Sequence, residues 1–322
     1  MITRDEIITN ARSFLNAISW SPAVDKYVFD ASDPRKTFNS AFVGLLPSTT
    51  ASIPAEYSVI PYVYGGSDSK TTFLSRIQAN ACPGGWDRTS GHGTKYWYDA
   101  PPAGLGYADT TAKNLAGIDC SGYVSRCWGI TGPRYSTTSL EDISMEIAPS
   151  RLQRGDILNF RCHHVRIFFE WASTNHTNGP ACLYEAAGTA GASGPQRPFR
   201  ATDEEGRVVF HQVVWDSRYL ARTPFPLLTE TDPAPGSYRL ADPPSRTVTA
   251  KVAGKGGVDV AEVAINRRTV PFCARSVADG VEVTHDEPTN WAAGSYEVLI
   301  KAVNRVAGQT FKDDLIWDFS VT

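Results

Sequence analysis

Six prolines between residues 222 and 245 place the strongest constraint on how this chain can fold. Proline fixes the backbone angle φ and lacks an N–H group, so a segment this rich in proline favours an extended chain. We therefore expect a linker at 226–245 that separates a first domain, 1–225, from a second, 246–322. The 322 residues are enough for each domain to bury its own core.

Apolar and polar residues alternate along the second predicted domain, which is the pattern of half-buried strands. Two stretches keep their apolar residues on one face: Tyr296, Val298, Ile300 and Ala302, then Leu315, Trp317, Phe319 and Val321. Repeated strands of this kind predict a small all-β sandwich. Its last part resembles bacterial immunoglobulin-like modules, and that resemblance implies contact with the cell envelope or with another protein.

The run from Gly117 to Val124 places one cysteine, Cys120, between small residues at a predicted junction of loop and helix. A helix beginning near Ser121 would direct its N–H groups and the positive end of its dipole at the sulfur, which favours a thiolate. The alternative is a buried cysteine at a helix start, because a thiol packs well as a small hydrophobic group. Residues further along the chain favour a nucleophilic role for Cys120 over a purely structural one.

Two strands predicted downstream carry the polar groups that a thiol nucleophile needs. His164 opens a strand that continues through 165–171, and Glu185 lies in the next strand, 182–186. An imidazole base and a third group that orients it meet the sulfur in space rather than in sequence. This pattern makes Cys120, His164 and Glu185 candidates for one catalytic site.

Further helices are predicted by two capping boxes, Thr3 to Glu6 and Thr138 to Glu141. Apolar residues at helical spacing extend the first helix to the region of Trp20 and Pro22. The second is expected to continue to about Ile147.

Four short motifs follow one another along the first domain: Tyr62-Val63-Tyr64-Gly65-Gly66, Asp119-Cys120-Ser121-Gly122, Leu152 to Asp156, and His164-Val165-Arg166-Ile167. In this order they resemble the NlpC family of bacterial cell-wall cysteine peptidases, a papain-like group. Neighbouring strand residues point to opposite faces, so only one of His163 and His164 can face Cys120. The family motif and the phase of the strand both select His164.

The resemblance implies an α+β fold with a papain-like catalytic domain, in which the helix that carries the nucleophile packs on an antiparallel sheet. It implies Cys120 as the nucleophile and His164 as general base and then general acid. Glu185 would orient the imidazole, although the family commonly has histidine, asparagine or glutamine in that role.

The resemblance also implies residues on the oxyanion and substrate side of the site. We expect Tyr62, Asp119 and Ser121 there, with the backbone N–H of Cys120 as an oxyanion donor. A long aromatic and glycine-rich insertion at 67–118 departs from the family pattern, and it leaves the range of substrates open.

Composition excludes several other classes of protein. A formal net charge of -3 gives no electrostatic reason to expect nucleic acid or an anionic membrane as a partner. The chain lacks an apolar run of about 18 residues, so we expect no membrane insertion. The cysteines lack paired Cys-x-x-Cys spacing, so we expect no metal and no cofactor. We expect a monomer.

The leading functional hypothesis is a cysteine peptidase that hydrolyses an amide bond in a peptidoglycan-type peptide, by resemblance the bond between γ-D-glutamate and a diamino acid. A thiol hydrolase or acyltransferase acting on another amide or ester is one alternative, and a catalytically silent binding protein is another. The peptidase hypothesis implies an extracellular or cell-envelope location. Because no signal peptide is visible, that location requires a leader that was removed, and a cytoplasmic protein is the alternative.

Overall fold

The computed structural model describes residues 1–15, 19, 60, 63–79, 82–83, 85–86, 115–187, 207–239, 247–287 and 291–322. The chain divides into two units. The two-sheet unit comprises residues 1–4, 139–148 and 222–322, and the site unit comprises residues 5–138 and 149–221.

The described residues include three α-helices: α1 (Arg4–Ser13), α2 (Lys70–Gln78) and α3 (Cys120–Cys127). Helix α1 has Asp5 and Glu6 in its first turn, where negative charge stabilises the positive end of the helix dipole. Helix α2 begins after Ser69, whose hydroxyl accepts a hydrogen bond from the Thr72 N–H at 3.1 Å. No helix in the described ranges combines the length and the apolarity needed to cross a membrane.

The described strands before residue 224 are β1 (Val63–Tyr64), β2 (Cys82–Pro83), β3 (Gly85–Trp86), β4 (Leu115–Ala116), β5 (Met145–Glu146), β6 (Ile157–Phe160), β7 (His164–Trp171), β8 (Ala181–Ala187), β9 (Arg207–Val213) and β10 (Leu220–Thr223). Strands β6, β7, β8 and β9 are antiparallel neighbours in that order. Phe160 pairs with His164 next to the β6–β7 turn, and Ile167 pairs with Tyr184. This register places the start of β7 close to the end of β8.

Helix α3 packs against β7 and β8 in the site unit. Its side chains Tyr123, Val124 and Trp128, the last at the helix C-cap, are fully buried. The Trp128 Nε1–H donates to the Gly155 carbonyl at 3.1 Å, and the Tyr123 hydroxyl donates to the Ala11 carbonyl at 3.1 Å. These contacts hold α3 in place within the site unit, and both polar tips are satisfied inside an apolar core.

The remaining strands are β11 (Leu227–Asp232), β12 (Tyr238–Arg239), β13 (Thr247–Ala253), β14 (Gly257–Ile265), β15 (Arg268–Thr269), β16 (Cys273–Val277), β17 (Gly280–Asp286), β18 (Gly294–Val306) and β19 (Gln309–Val321). They form a four-stranded sheet, β11-β13-β17-β16, and a five-stranded sheet, β12-β19-β18-β14-β15. Both sheets contribute to one hydrophobic cluster, with Val252 and Val283 from the first sheet and Ile300 and Trp317 from the second. The two sheets therefore share a core.

The chain's first residues belong to the two-sheet unit. The Ile2 N–H donates to the Thr310 carbonyl at 2.7 Å, and the Lys312 N–H donates to the Ile2 carbonyl at 2.9 Å. The Arg4 Nε lies 2.8 Å from Asp313 Oδ2. A short extended segment at the start of the chain is thus paired with β19.

The predicted α+β fold class, with a papain-like catalytic domain, is wrong for the described residues. Most of their regular structure is strand, arranged in largely antiparallel sheets, and the three helices contain only 10, 9 and 8 residues. The sequence prediction overestimated helix because it extended capping signals into long helices.

Two segments show how this happened. The predicted first helix ends at Ser13, well before Trp20. The predicted helix from Thr138 is a 3-10 turn at Ser139–Asp142 followed by β5, because Met145 and Glu146 pair with β10. A capping box specifies where a helix begins, whereas strand pairing elsewhere in the fold decides whether it continues.

The boundary predicted for the linker also differs from the structure. Residues 227–232 form β11 and pair with β13, and residues 238–239 form β12 and pair with β19. The Trp317 Nε1–H donates to the Pro233 carbonyl at 3.1 Å. Prolines are compatible with this arrangement because those at 224, 226, 233 and 235 lie between the strands, where no ladder hydrogen bond needs their missing N–H.

Candidate active site

Cys120 is the first residue of α3, and its side chain is 5% exposed. Asp119 is the N-cap residue, with an extended backbone, and its carboxylate accepts a hydrogen bond from the Gly122 N–H at 2.6 Å. This cap starts the helix at the cysteine rather than one turn later. The positive end of the α3 dipole therefore lies at the thiol and favours negative charge there.

His164 and Glu185 are brought together by the pairing of β7 with β8. The His164 Nε2 lies 2.5 Å from Glu185 Oε2. Because a carboxylate can only accept, this ring nitrogen carries a hydrogen. The His164 ring is also hydrogen-bonded to the Cys120 side chain. Because Nε2 is directed at Glu185, Nδ1 is the nitrogen left for the sulfur. The structure thus joins Cys120, His164 and Glu185 in a chain of hydrogen bonds.

Electrostatics in this chain favour a protonated imidazole. Burial lowers the pKa of His164, but hydrogen bonds and charge interactions with Cys120 and Glu185 outweigh burial and raise the pKa from 6.5 to about 10. An imidazolium beside the sulfur is the state in which a thiolate is stabilised. The neighbouring His163 is exposed, and its ring stacks on Phe160 with centroids 4.1 Å apart.

Two residues that sequence reasoning did not assign to the site complete its surroundings. The Arg166 Nε donates to Glu185 Oε2 at 2.7 Å. The Arg166 guanidinium carbon lies 4.4 Å from the centroid of the Tyr219 ring, and that ring meets the His164 ring edge-to-face at 6.4 Å. The pKa of Tyr219 is raised to about 12, chiefly by burial, so its hydroxyl is neutral at physiological pH.

The sequence did contain a signal for one of these residues. Arg166 lies two positions after His164 on a strand, and residues at that spacing share a face. Tyr219 is distant from His164 in the sequence and follows a turn, so only the tertiary fold brings their rings together.

Asp119 and Ser121, which the resemblance assigns to the oxyanion and substrate side, lie in a buried network of hydrogen bonds. The Asp119 carboxylate also accepts from the Gly65 N–H at 2.9 Å, and the Ser121 hydroxyl donates to it at 3.0 Å. Arg134 donates from Nη1 to the Ser121 hydroxyl at 2.8 Å, and its Nη2 lies 3.3 Å from Asp119 Oδ2. Asp119 caps a buried helix N-terminus, and buried polar atoms need hydrogen-bond partners. Gly65, Ser121 and Arg134 supply partners for its carboxylate.

Gly122 is required by the close approach of a second segment. A Cβ atom at this position would lie 2.2 Å from the Gly66 carbonyl oxygen, closer than any real contact allows. The Gly66 carbonyl in turn accepts from the Asp119 N–H at 3.0 Å. The glycines that the sequence motifs highlight are therefore packed against each other behind the nucleophile.

Other predicted features fall partly or wholly outside the described residues. Tyr62 lies outside them, as does most of the 67–118 insertion. Within the described ranges, no group of three or more His, Cys, Asp or Glu side chains is arranged to hold a metal ion.

Comparisons with known proteins give no family assignment. No family model matches the chain, and no curated protein matches it. Among solved structures, CopC from Methylosinus trichosporium OB3b shares 24% identity over 30% of this chain and 92% of its own, with a TM-score of 0.23. PcoC, a methionine-rich copper resistance protein from Escherichia coli, shares 15% identity over 30% of this chain and 98% of its own, also with a TM-score of 0.23.

The twitchin kinase region from C. elegans shares 16% identity over 35% of this chain and 18% of its own, with a TM-score of 0.22. TM-scores this low carry no inference about this chain. Its function must be argued from its own residues.

Proposed function

We propose that this chain is a cysteine hydrolase that cleaves an amide bond in a peptidoglycan-type peptide. The observation that carries the proposal is the hydrogen-bonded chain from Cys120 through His164 to Glu185. A thiol, an imidazole and an orienting carboxylate in this order are the groups that thiol-based acyl transfer uses.

In the first half of the reaction, the Cys120 sulfur attacks the carbonyl carbon and the carbonyl oxygen takes the displaced electron pair. Collapse of this intermediate re-forms the carbonyl, breaks the C–N bond and leaves a thioester on the sulfur. The leaving amine takes the proton from His164 Nδ1 as it departs. The positive end of α3 stabilises the oxyanion, and loss of one donor to such an oxyanion typically costs about 3 kcal/mol.

In the second half, the neutral His164 Nδ1 removes a proton from water while the water oxygen attacks the thioester carbon. The C–S bond then breaks, the carboxylic acid product leaves and the thiolate returns beside the imidazolium. Glu185 keeps its hydrogen bond to Nε2 throughout, which holds the ring in the orientation that both steps need.

The motif resemblance supports the choice of substrate, a peptide bond between γ-D-glutamate and a diamino acid. It also supports a protein that acts as a monomer at the cell envelope. The two-sheet unit would then contact the envelope or a partner protein. The same three residues would also serve a thiol hydrolase or acyltransferase acting on another amide or ester.

Digestion of purified wall fragments, followed by mass spectrometry, tests the proposal. We expect new peptide termini with the native chain and a loss of at least about 1,000-fold in rate for Cys120→Ala and for His164→Ala. Cys273→Ala is the matched control, because Cys273 is exposed and lies in the two-sheet unit. Unchanged wall peptides would contradict the proposed substrate, and an inert Cys120 would favour a binding protein.

A further inference from the structure

Arg166 and His164, the base of the proposed site, both contact the same oxygen atom of Glu185. Its Nε donates to Glu185 Oε2 at 2.7 Å, and His164 Nε2 lies 2.5 Å from that same oxygen. Arg166 and His164 lie on one face of β7, and the pairing of Ile167 with Tyr184 brings Glu185 alongside them. One carboxylate oxygen thus receives two donors from one strand.

A buried carboxylate needs a permanent positive partner. The Glu185 side chain is 4% exposed, and an ionised carboxylate at such a position is costly unless it is paired. His164 provides a positive charge only while it is protonated, and the proposed mechanism removes that proton. The guanidinium of Arg166 stays charged at every step.

The position of Arg166 is itself fixed. Its guanidinium lies over the Tyr219 ring at 4.4 Å, and its side chain is 19% exposed. Arginine stacked on an aromatic ring keeps its planar fork in one orientation. The Nε–H therefore has a defined direction toward Glu185.

The charges around His164 sum to zero only when Arg166 is counted. An Arg166 guanidinium and an imidazolium balance a Glu185 carboxylate and a Cys120 thiolate. The other charged groups nearby have partners of their own: Asp216 pairs with Arg218 at 2.5 Å and interacts more weakly with Arg166, and Asp119 pairs with Arg134 at 3.3 Å. Tyr219 is neutral. Without Arg166, the reactive thiolate state would carry one excess negative charge in a largely buried site.

We propose that Arg166 is a positioning residue that holds Glu185 ionised and directed at His164, and thereby completes a charge-neutral cluster in which the Cys120 thiolate can form. This role deepens the proposed function, but it concerns the reactivity of the thiol and not the identity of any substrate.

The test measures the rate at which iodoacetamide alkylates Cys120 between pH 5 and 10, with mass spectrometry to follow the peptide that carries this cysteine. In Arg166→Met we expect the pH of half-maximal rate to rise by about one unit, so that the rate on the acidic side of the profile falls by up to about tenfold. Arg154→Met is the control: Arg154 has a side chain that is 54% exposed and pairs with Asp5, and the profile should not move.

A double variant separates charge balance from simple disruption. Arg166→Met with Glu185→Gln removes one positive and one negative charge, so the thiolate and the imidazolium balance again. On the acidic side of the profile we expect this variant to be alkylated several-fold faster than Arg166→Met alone. An unchanged profile in a folded Arg166→Met protein would overturn the proposal, and so would a double variant as slow as the single one.

Alkylation requires no substrate, so the outcome is independent of whether any amide is cleaved. A shifted profile in a protein that leaves wall peptides intact would support the role of Arg166 while refuting the proposed substrate.

Discussion

Replacing Asp119 should destabilise the site unit far more than replacing an exposed aspartate. Asp119 is 4% exposed and accepts hydrogen bonds from the Gly65 N–H, the Gly122 N–H and the Ser121 hydroxyl. Three such bonds contribute about 1 kcal/mol each. Arg134, whose side chain is 15% exposed, would also lose its carboxylate, and breaking a buried ion pair costs about 3–5 kcal/mol.

Because these contributions overlap, we expect Asp119→Ala to lower the free energy of unfolding by about 3–5 kcal/mol in total. For a unit of this size, that corresponds to a fall of roughly 10 °C in the thermal midpoint. Asp119→Asn should cost about 1 kcal/mol less than Asp119→Ala, because asparagine keeps a capping oxygen for the Gly122 N–H but loses the charge that pairs with Arg134. Differential scanning calorimetry measures both changes.

The control for this series is Asp5→Ala. The Asp5 side chain is 82% exposed and pairs with Arg154, so its loss should cost less than about 1 kcal/mol. The reasoning would be refuted if Asp119→Ala were no more harmful than Asp5→Ala. It would also be refuted if the alanine and asparagine variants of Asp119 were equally destabilised, because the capping oxygen would then contribute nothing.

Two further predictions concern the same site. Gly122→Ala should lose about 1–3 kcal/mol of stability because its Cβ would collide with the Gly66 carbonyl, whereas Gly132→Ala, which has nothing within 4 Å, should be nearly neutral in the same thermal denaturation. Burial lowers the pKa of His164, but Cys120 and Glu185 outweigh burial and raise this pKa to about 10. Protonation of His164 therefore stabilises the fold fully below about pH 6.5, and this contribution is lost as pH rises through about 10. The difference in thermal midpoint between the native chain and His164→Gln should shrink across that window, and a difference that is constant with pH would count against it.

The residues of the candidate site were easier to predict from the sequence than the fold that carries them. Cys120, His164 and Glu185 come from local patterns: small residues at a helix start, and polar groups at the ends and centres of strands. The sequence could not show that Asp119 and Ser121 turn inward, because that depends on Arg134 and a backbone segment near Gly65. These partners meet only in three dimensions.

Fold class was harder because it depends on competition between segments. The alternation along β18 and β19 gave the correct buried face, with Ile300 and Trp317 in the core. In contrast, the capping signal at Thr138 indicated a helix, but the segment forms a short 3-10 turn because the residues after it pair with β10 as strand β5. Prolines near residue 230 indicated a linker, but they flank short edge strands, and pattern alone does not distinguish short strands between prolines from an extended linker.

Pairing of the chain's first residues with β19 has a consequence for biosynthesis. During synthesis Ile2 leaves the ribosome long before its hydrogen-bonding partners, Thr310 and Lys312. The site unit is encoded between them, so it can fold before the opening segment has anything to bind. A nascent chain halted before residue 310 would leave that segment without the partners that it has in β19.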